Sequence, residues 1–257
     1  MGCRYKLELS YCGTAYHGWQ TQTVDLPTIQ ATIEQQLAKL LRHSVHVHGC
    51  GRTDAGVHAT GYVAHFDSDR GLDIDFAQQL TRALPADIAV HTCTEVDATF
   101  DAQRSAVARQ YVYRFSFRKN PFHPGRVAQY DHLALDEQRM QAVVELYREQ
   151  TDFAGFCRKP DQYLSTTCRI DETSLQRLET DGEYQFRITA NRFLQNMVRL
   201  LVARMIDVGR GALSLDDLVE AFHSGKPPRW VNAAHAEGLY LSKVFYGAKA
   251  DAPHGAT

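Results

Sequence analysis

The sequence predicts an α+β protein built of two similar halves that form a continuous, mostly antiparallel sheet flanked by helices. Two observations predict it. Arg4 to Tyr11 alternates polar and apolar residues with a period of two, and from Thr28 apolar residues recur at helical spacing. From Tyr111 the chain repeats that logic, strand pattern first and helical pattern after, so the divide falls near residues 105 to 110. Residues 1–106 are therefore assigned to an N-terminal half and 107–247 to a C-terminal half, with 248–257 as a small, polar, frayed tail.

The elements follow in order. Tyr5, Leu7, Leu9 and Tyr11 share one face of the first strand, with Arg4, Lys6, Glu8 and Ser10 on the other. Ile29, Ile33, Leu37, Leu40 and Leu41 line one side of a helix with Thr28 as its N-cap. A short alternating strand carries Val45 and Val47, a turn bounded by Gly49 and Gly61 follows, and Tyr62 to Phe66 reads as another strand. A helix from about Asp75 to Ala83 ends before Pro85. In the second half, Tyr111, Tyr113, Phe115 and Phe117 form the aromatic face of a strand. A helix from about Asp136 to Gln150, a strand around Tyr184, Phe186 and Ile188, and a long helix from an Asn191 cap to Gly209 come next. Ser214 and Asp217 form a capping-box pattern for a helix ending near Gly225, and Leu239 to Tyr246 is the last strand.

A chain of 257 residues with 44% hydrophobic content is long enough to bury a substantial core. The net charge of -2 excludes binding nucleic acid by overall basicity, so any RNA site is local. Most of the 28 basic residues are arginines, which suit bidentate phosphate contacts and base stacking. The six cysteines lack CxxC spacing, which argues against a disulfide framework or a zinc site. No apolar run approaches the roughly 18 to 20 residues of a membrane span, and the expected location is cytoplasmic.

The segment Gly51-Arg52-Thr53-Asp54-Ala55-Gly56-Val57-His58 is the most informative. Two glycines bracket an arginine and an aspartate, so the backbone can turn sharply and present a carboxylate with a cation two residues away. That cation favours the ionised form, which suits a nucleophile or an electrostatic stabiliser better than a general acid. On spacing alone the plainer reading, a turn aspartate bonding its own backbone, stays open.

This segment resembles the catalytic motif of the tRNA pseudouridine synthase A family, and six further motifs follow the same order. Tyr11-Cys12-Gly13-Thr14 through Gly18-Trp19-Gln20 resembles its N-terminal motif, and Ala83-Leu84-Pro85-Ala86-Asp87-Ile88 the segment before the divide. Arg109-Gln110-Tyr111-Val112-Tyr113 resembles its tyrosine motif and Asp152-Phe153-Ala154-Gly155-Phe156 a helix-end motif. Asn191-Arg192-Phe193-Leu194 to Met197-Val198-Arg199 resembles its last active-site motif, and Glu237-Gly238-Leu239-Tyr240-Leu241 its closing strand.

The resemblance implies a pseudouridine-synthase-like fold and isomerisation of uridine in the tRNA anticodon arm, at nucleotides 38 to 40. It implies Asp54 as the catalytic aspartate, Arg199 as its partner and Tyr111 as the ring that stacks on the target base. It also implies a homodimer holding tRNA across both subunits, with no cofactor, no metal, no membrane and no DNA partner. Arg52 either contacts phosphate or sugar near the flipped nucleotide or braces the turn. Without the resemblance, Tyr111 reads as packing on a buried sheet face. Arg199 sits in an apolar helix, where a charge is rarely tolerated unpaired. His46, His48 and Cys50 share one side of a strand, but no carboxylate or second cysteine completes a zinc set.

Departures from the family pattern are also legible. Phe100-Asp101-Ala102-Gln103-Arg104 either displaces an arginine by one position or replaces it, and in a strand a one-residue shift would turn it to the opposite face. Gln195 and Asn196 stand where histidines are common, and these changes bear on substrate choice and RNA contacts. They motivate a second reading, a catalytically silent tRNA-binding protein. A carboxylate-dependent hydrolase is a third, against which stands the absence of a paired-carboxylate motif.

Overall fold

The structure is a computed structural model that describes residues 2–23, 26–130, 135–178, 182–227 and 232–247, so the tail lies outside the described residues. In chain order its elements are β1 (Cys3–Tyr11), α1 (Ile29–Leu41), β2 (His48–Gly49), β3 (His58–Ser68), α2 (Phe76–Ala83), β4 (Ile88–Val96) and β5 (Ala106–Ser116). Then come β6 (Ala128–Gln129), α3 (Glu137–Glu149), β7 (Ile170–Arg177), β8 (Glu183–Ala190), α4 (Met197–Gly209), α5 (Leu215–Ser224) and β9 (Leu239–Tyr246). This is the α+β class the sequence predicts, with strand pairing mostly antiparallel and helices at its flanks. Two compact units form, Met1–Ala108 with Tyr240–Thr257, and Arg109–Leu239.

In the first unit β1 lies between β3 and β4, antiparallel to both. The last strand, grouped above with the C-terminal half, pairs in parallel with β3 at His58↔Tyr240 and Ala59↔Leu241. The period of β1 puts Tyr5, Leu7, Leu9 and Tyr11 inside, and Ile29, Ile33 and Leu37 of α1 are buried as well. Each such aliphatic side chain contributes about 1.5–3 kcal/mol through removal from water. Thr28 caps α1 by accepting from Ala31 N, and Arg42 ends it in the left-handed region at φ 66.

β4 escapes the sequence pattern because of one irregular residue. Its register with β1 shifts between Glu8 and Leu9, so that both Val90 and Cys93 oppose inward-facing positions, Leu9 and Leu7. The apolar alternation is thereby thrown out of phase. The strand expected at Val45 and Val47 is also corrected: only His48 and Gly49 pair, opposite His65 and Ala64. Val47 is instead fastened to α1, its N–H to Glu34 and its carbonyl to Gln30. β3 begins at His58, four residues before the expected start and inside the segment whose glycines predict a turn.

In the second unit β8 lies between β5 and β7, antiparallel to both, and β6 pairs with β5. Met140, Val143, Val144 and Tyr147 of α3 face the core, as do Leu201, Val202 and Met205 of α4. The two helices approach closely at Gly209, where an added Cβ would lie 2.6 Å from Met140 Cγ. Phe156 stacks on Phe222 of α5 at 4.1 Å, and the Ser214–Asp217 capping box is formed. β7 escapes detection because Ile170 and Leu175 are out of phase, a mismatch that the register shift between Ile170 and Glu172 resolves.

The helix expected from Asn191 is a correction with a clear cause. Asn191 Oδ1 accepts from Arg169 N at 2.8 Å, and Asn191 N donates to Arg169 O. Asn191 therefore closes the β7–β8 end, and α4 starts at Met197 after Asn196, whose φ is 61. Buried charge in α4 also lies elsewhere than at half-buried Arg199: Arg204 is 3% exposed and pairs with Asp207, which also binds Arg210.

Candidate functional site

The first unit holds the Asp54 loop from several sides. Trp19 N donates to Thr53 O at 3.1 Å, Tyr11 Oη and Thr53 Oγ1 lie 2.8 Å apart, and Tyr62 Oη donates to Gly51 O. Val57 N closes a turn onto Asp54 O, with Gly56 at the third position and φ 77, a conformation that glycine adopts without a Cβ penalty. Beneath the loop, Gly13 and Gly18 approach so closely that an added Cβ would meet Val57 O at 2.0 Å and Thr53 O at 2.5 Å. Trp19 and Tyr62 stack at 4.0 Å, and either would be struck by a side chain at Gly49. Asp54 is half-buried on this support, while Arg52 and Ala55 are exposed.

The motif at Ala83–Ile88 reaches the same place. Asp87 O accepts from Cys12 N, and Asp87 Oδ1 accepts from Tyr16 Oη at 2.7 Å. The Asp54, Tyr11–Gln20 and Ala83–Ile88 segments thus form one braced group. Burial, then the hydrogen bond to Asp87, pushes the Tyr16 hydroxyl far up. Tyr16 is therefore a neutral donor here.

In the second unit Tyr111 is half-buried on β5 opposite Ile188, with its ring edge-on to Phe193 at 5.0 Å. Arg199, on the first turn of α4, donates from Nε to Ala234 O at 2.7 Å, and its own carbonyl accepts from Ala234 N. The structure thus brings Arg52 and Asp54 together on one loop. It connects Tyr111 through Phe193 to the segment entering α4, which carries Arg199.

Behind these lies a pair that sequence reasoning assigned to packing or did not single out. Tyr113 and Tyr130 hydroxyls are 2.9 Å apart, and Tyr113 Oη donates to His235 O. Burial holds both hydroxyls above the usual phenol range, against the opposing charge of Arg199. Both are neutral and serve as hydrogen-bonding props. Alternation at Tyr113 signalled burial but not its hydroxyl partner, which lies 17 residues away in sequence.

The histidines sort differently from their expected common side. His46 and His48 are exposed and in edge contact, His46 meets Glu34 at 2.9 Å, and Cys50 is buried. His48 stacks on His65 at 4.9 Å, and burial pushes His65 down to about 4. Among the described residues no group of three or more His, Cys, Asp or Glu side chains could hold a metal ion. Residues 101–105 form a turn rather than a strand, with Asp101 Oδ1 accepting from Gln103 N and Arg104 N. The expected face reversal of Arg104 therefore does not apply, and its side chain is exposed.

Comparison with known proteins agrees with these motifs. A family model described as tRNA pseudouridine synthase matches residues 144–247. The chain is 37% identical over 246 residues to a tRNA pseudouridine synthase A of Porphyromonas gingivalis, covering 95% of this chain and 97% of that protein. It is 37% identical to one from Bacteroides fragilis, with 95% and 96% coverage. A third, from Acetivibrio thermocellus, is 36% identical with 94% and 98% coverage.

Proposed function

The chain belongs to the tRNA pseudouridine synthase A family, isomerases that act on tRNA, and on that premise we propose that it isomerises anticodon-arm uridines at nucleotides 38 to 40, with Asp54 as the catalytic carboxylate. The support for Asp54 is its loop: a half-buried carboxylate is presented on a backbone that Gly13, Gly18, Trp19 and Tyr62 brace from below. Such bracing fixes a reacting group in place before substrate arrives.

The chemistry is balanced within the substrate. The bond from N1 to the ribose breaks, the uracil turns, and C5 joins the ribose carbon. The proton leaves C5 and N1 ends protonated, so the product is an isomer and no redox partner is required. Asp54 acts at the sugar and uracil. Arg199 holds the charge of that carboxylate, and Tyr111 offers its ring to the flipped base, a contact of about 1–3 kcal/mol. Arg52, exposed two residues before Asp54, meets phosphate or sugar beside the flipped nucleotide. The working form is a cytoplasmic homodimer, active without a cofactor. No described helix is long and apolar enough to cross a membrane.

The test is tritium release from [5-³H]uridine-labelled tRNA in metal-free buffer, comparing the native chain with Asp54→Ala. Release by the native chain that vanishes in the variant is the expected result. No release from any tRNA, with tight binding retained, would replace this reading with a catalytically silent tRNA-binding protein.

A further inference from the structure

Residues 157–164 form an arm that the roles above do not use. Its neck is closed: Phe153 N donates to Thr166 O, and Thr166 Oγ1 donates to Asp152 Oδ1 at 2.6 Å. Its root is buried, through Phe153 and Phe156 packed on Phe222. Beyond the root the character changes. Arg158 and Lys159 are exposed, Lys159 takes the left-handed backbone at φ 52, and a short turn at Pro160–Gln162 leads to Leu164. Leu164 is fully exposed, on an arm that also exposes Arg158, Lys159 and Asp161.

The arm is tied to the segment that leads into α4. Arg158 N donates to Gln195 O at 3.0 Å, and Tyr163 Oη accepts from Gln195 N at 2.8 Å. The guanidinium of Arg192 lies 5.9 Å from the Tyr163 ring centroid. Gln195 is thus held at both backbone groups, one residue before left-handed Asn196 and four before Arg199. Left-handed non-glycine residues, Lys159 and Asn196, directly follow the two residues so joined, which marks both chains as held by their contacts.

Resting on the tRNA reading above, we infer that arm 157–164 grips the tRNA substrate, with Leu164 packed on a nucleoside face and Arg158 and Lys159 on its phosphates, while Tyr163 is a positioning residue for the segment carrying Arg199. A short arm that exposes one apolar side chain and two cations matches nucleic acid, which presents flat apolar base faces between phosphates. Gln195, a departure from the family pattern, is the link between grip and chemistry.

The experiment measures tRNA affinity and tritium-release kinetics for the full-length chain and three variants, with thermal unfolding as the folding check. Leu164→Ala raises Kd and KM at least fivefold. Arg158→Ala with Lys159→Ala does the same and makes the plot of log affinity against log salt shallower by about 1.5, as loss of two phosphate contacts requires. Tyr163→Phe keeps the ring and removes the acceptor for Gln195 N, so kcat falls about tenfold with KM nearly unmoved, a split that general destabilisation does not give. Native Kd and salt slope in the first two variants, or native kcat in the third, would overturn the inference. A changed oligomeric state in Leu164→Ala with native tRNA affinity would also overturn it and assign Leu164 to a contact between chains. A native chain that neither binds nor converts tRNA would instead sink the proposed function, so the two failures are distinguishable.

Discussion

Replacing Gly13 by alanine puts a methyl where the first unit has no room. The new Cβ would lie 2.0 Å from Val57 O and 2.8 Å from Val57 C, whereas real Cβ atoms stay beyond 3.0 Å. The two backbone segments must therefore part by 1.0 Å, the difference between 3.0 and 2.0. Val57 N–H holds the carbonyl of Asp54, so the displacement passes into the turn that presents the carboxylate. A misplacement of that size costs about 100-fold in rate, and forcing the methyl in costs about 1–3 kcal/mol of stability. For a chain of this size that lowers Tm by roughly 2–10 °C. Gly51→Ala, in the same loop, is the control: its Cβ would meet no described atom within 4 Å, so stability should stay within about 0.5 kcal/mol of native. Tritium-release kcat and thermal unfolding of both variants decide the matter. Native kcat and Tm in Gly13→Ala, or equal damage in Gly51→Ala, would refute the reasoning.

Two further outcomes concern stability. Asp207→Ala removes the carboxylate facing buried Arg204 and should cost about 3–5 kcal/mol by urea unfolding, whereas Arg204→Met with Asp207→Leu should cost clearly less; a single-variant loss below 1 kcal/mol would contradict this. His65 is held down to about 4, so its neutral form is favoured in the fold. Its contribution is fully present above the ordinary histidine range near 6.5 and is lost as pH falls through about 4, at most about 3 kcal/mol. His65→Gln should flatten the unfolding free energy over that window, and an unchanged slope would count against it.

Legibility in the sequence followed the strength of the period. β1 presents an unbroken alternation, and α1 and α3 present a buried stripe behind a capping residue, so these elements are found where the pattern puts them. β4 and β7 each hold a register shift, which breaks the period of two that makes a strand readable. Asn191 suits a helix cap by residue type, but its amide is engaged by Arg169, a partner 22 residues away that no local pattern shows. The same limit applies to the candidate site. The Gly51–His58 segment is recognisable in one dimension, whereas the bracing of its turn by Gly13 and Gly18 depends on separate segments approaching so closely that an added Cβ would lie within 3 Å of backbone. The Arg158–Gln195 and Tyr163–Gln195 contacts join residues 37 and 32 apart, without a composition signal at either end.

The pairing of β9 with β3 carries a consequence for the order of assembly. The parallel partner of His58 and Ala59, which directly follow the Asp54 loop, is Tyr240–Leu241, 182 residues further along the chain. Contacts of such long sequence separation form late, because loop closure must precede any gain from them. During synthesis the first unit therefore presents an unsatisfied strand edge beside the Asp54 loop while the whole second unit is made. The first unit becomes complete only when β9 emerges, so the support of the Asp54 loop is timed by translation of a strand made after the whole second unit.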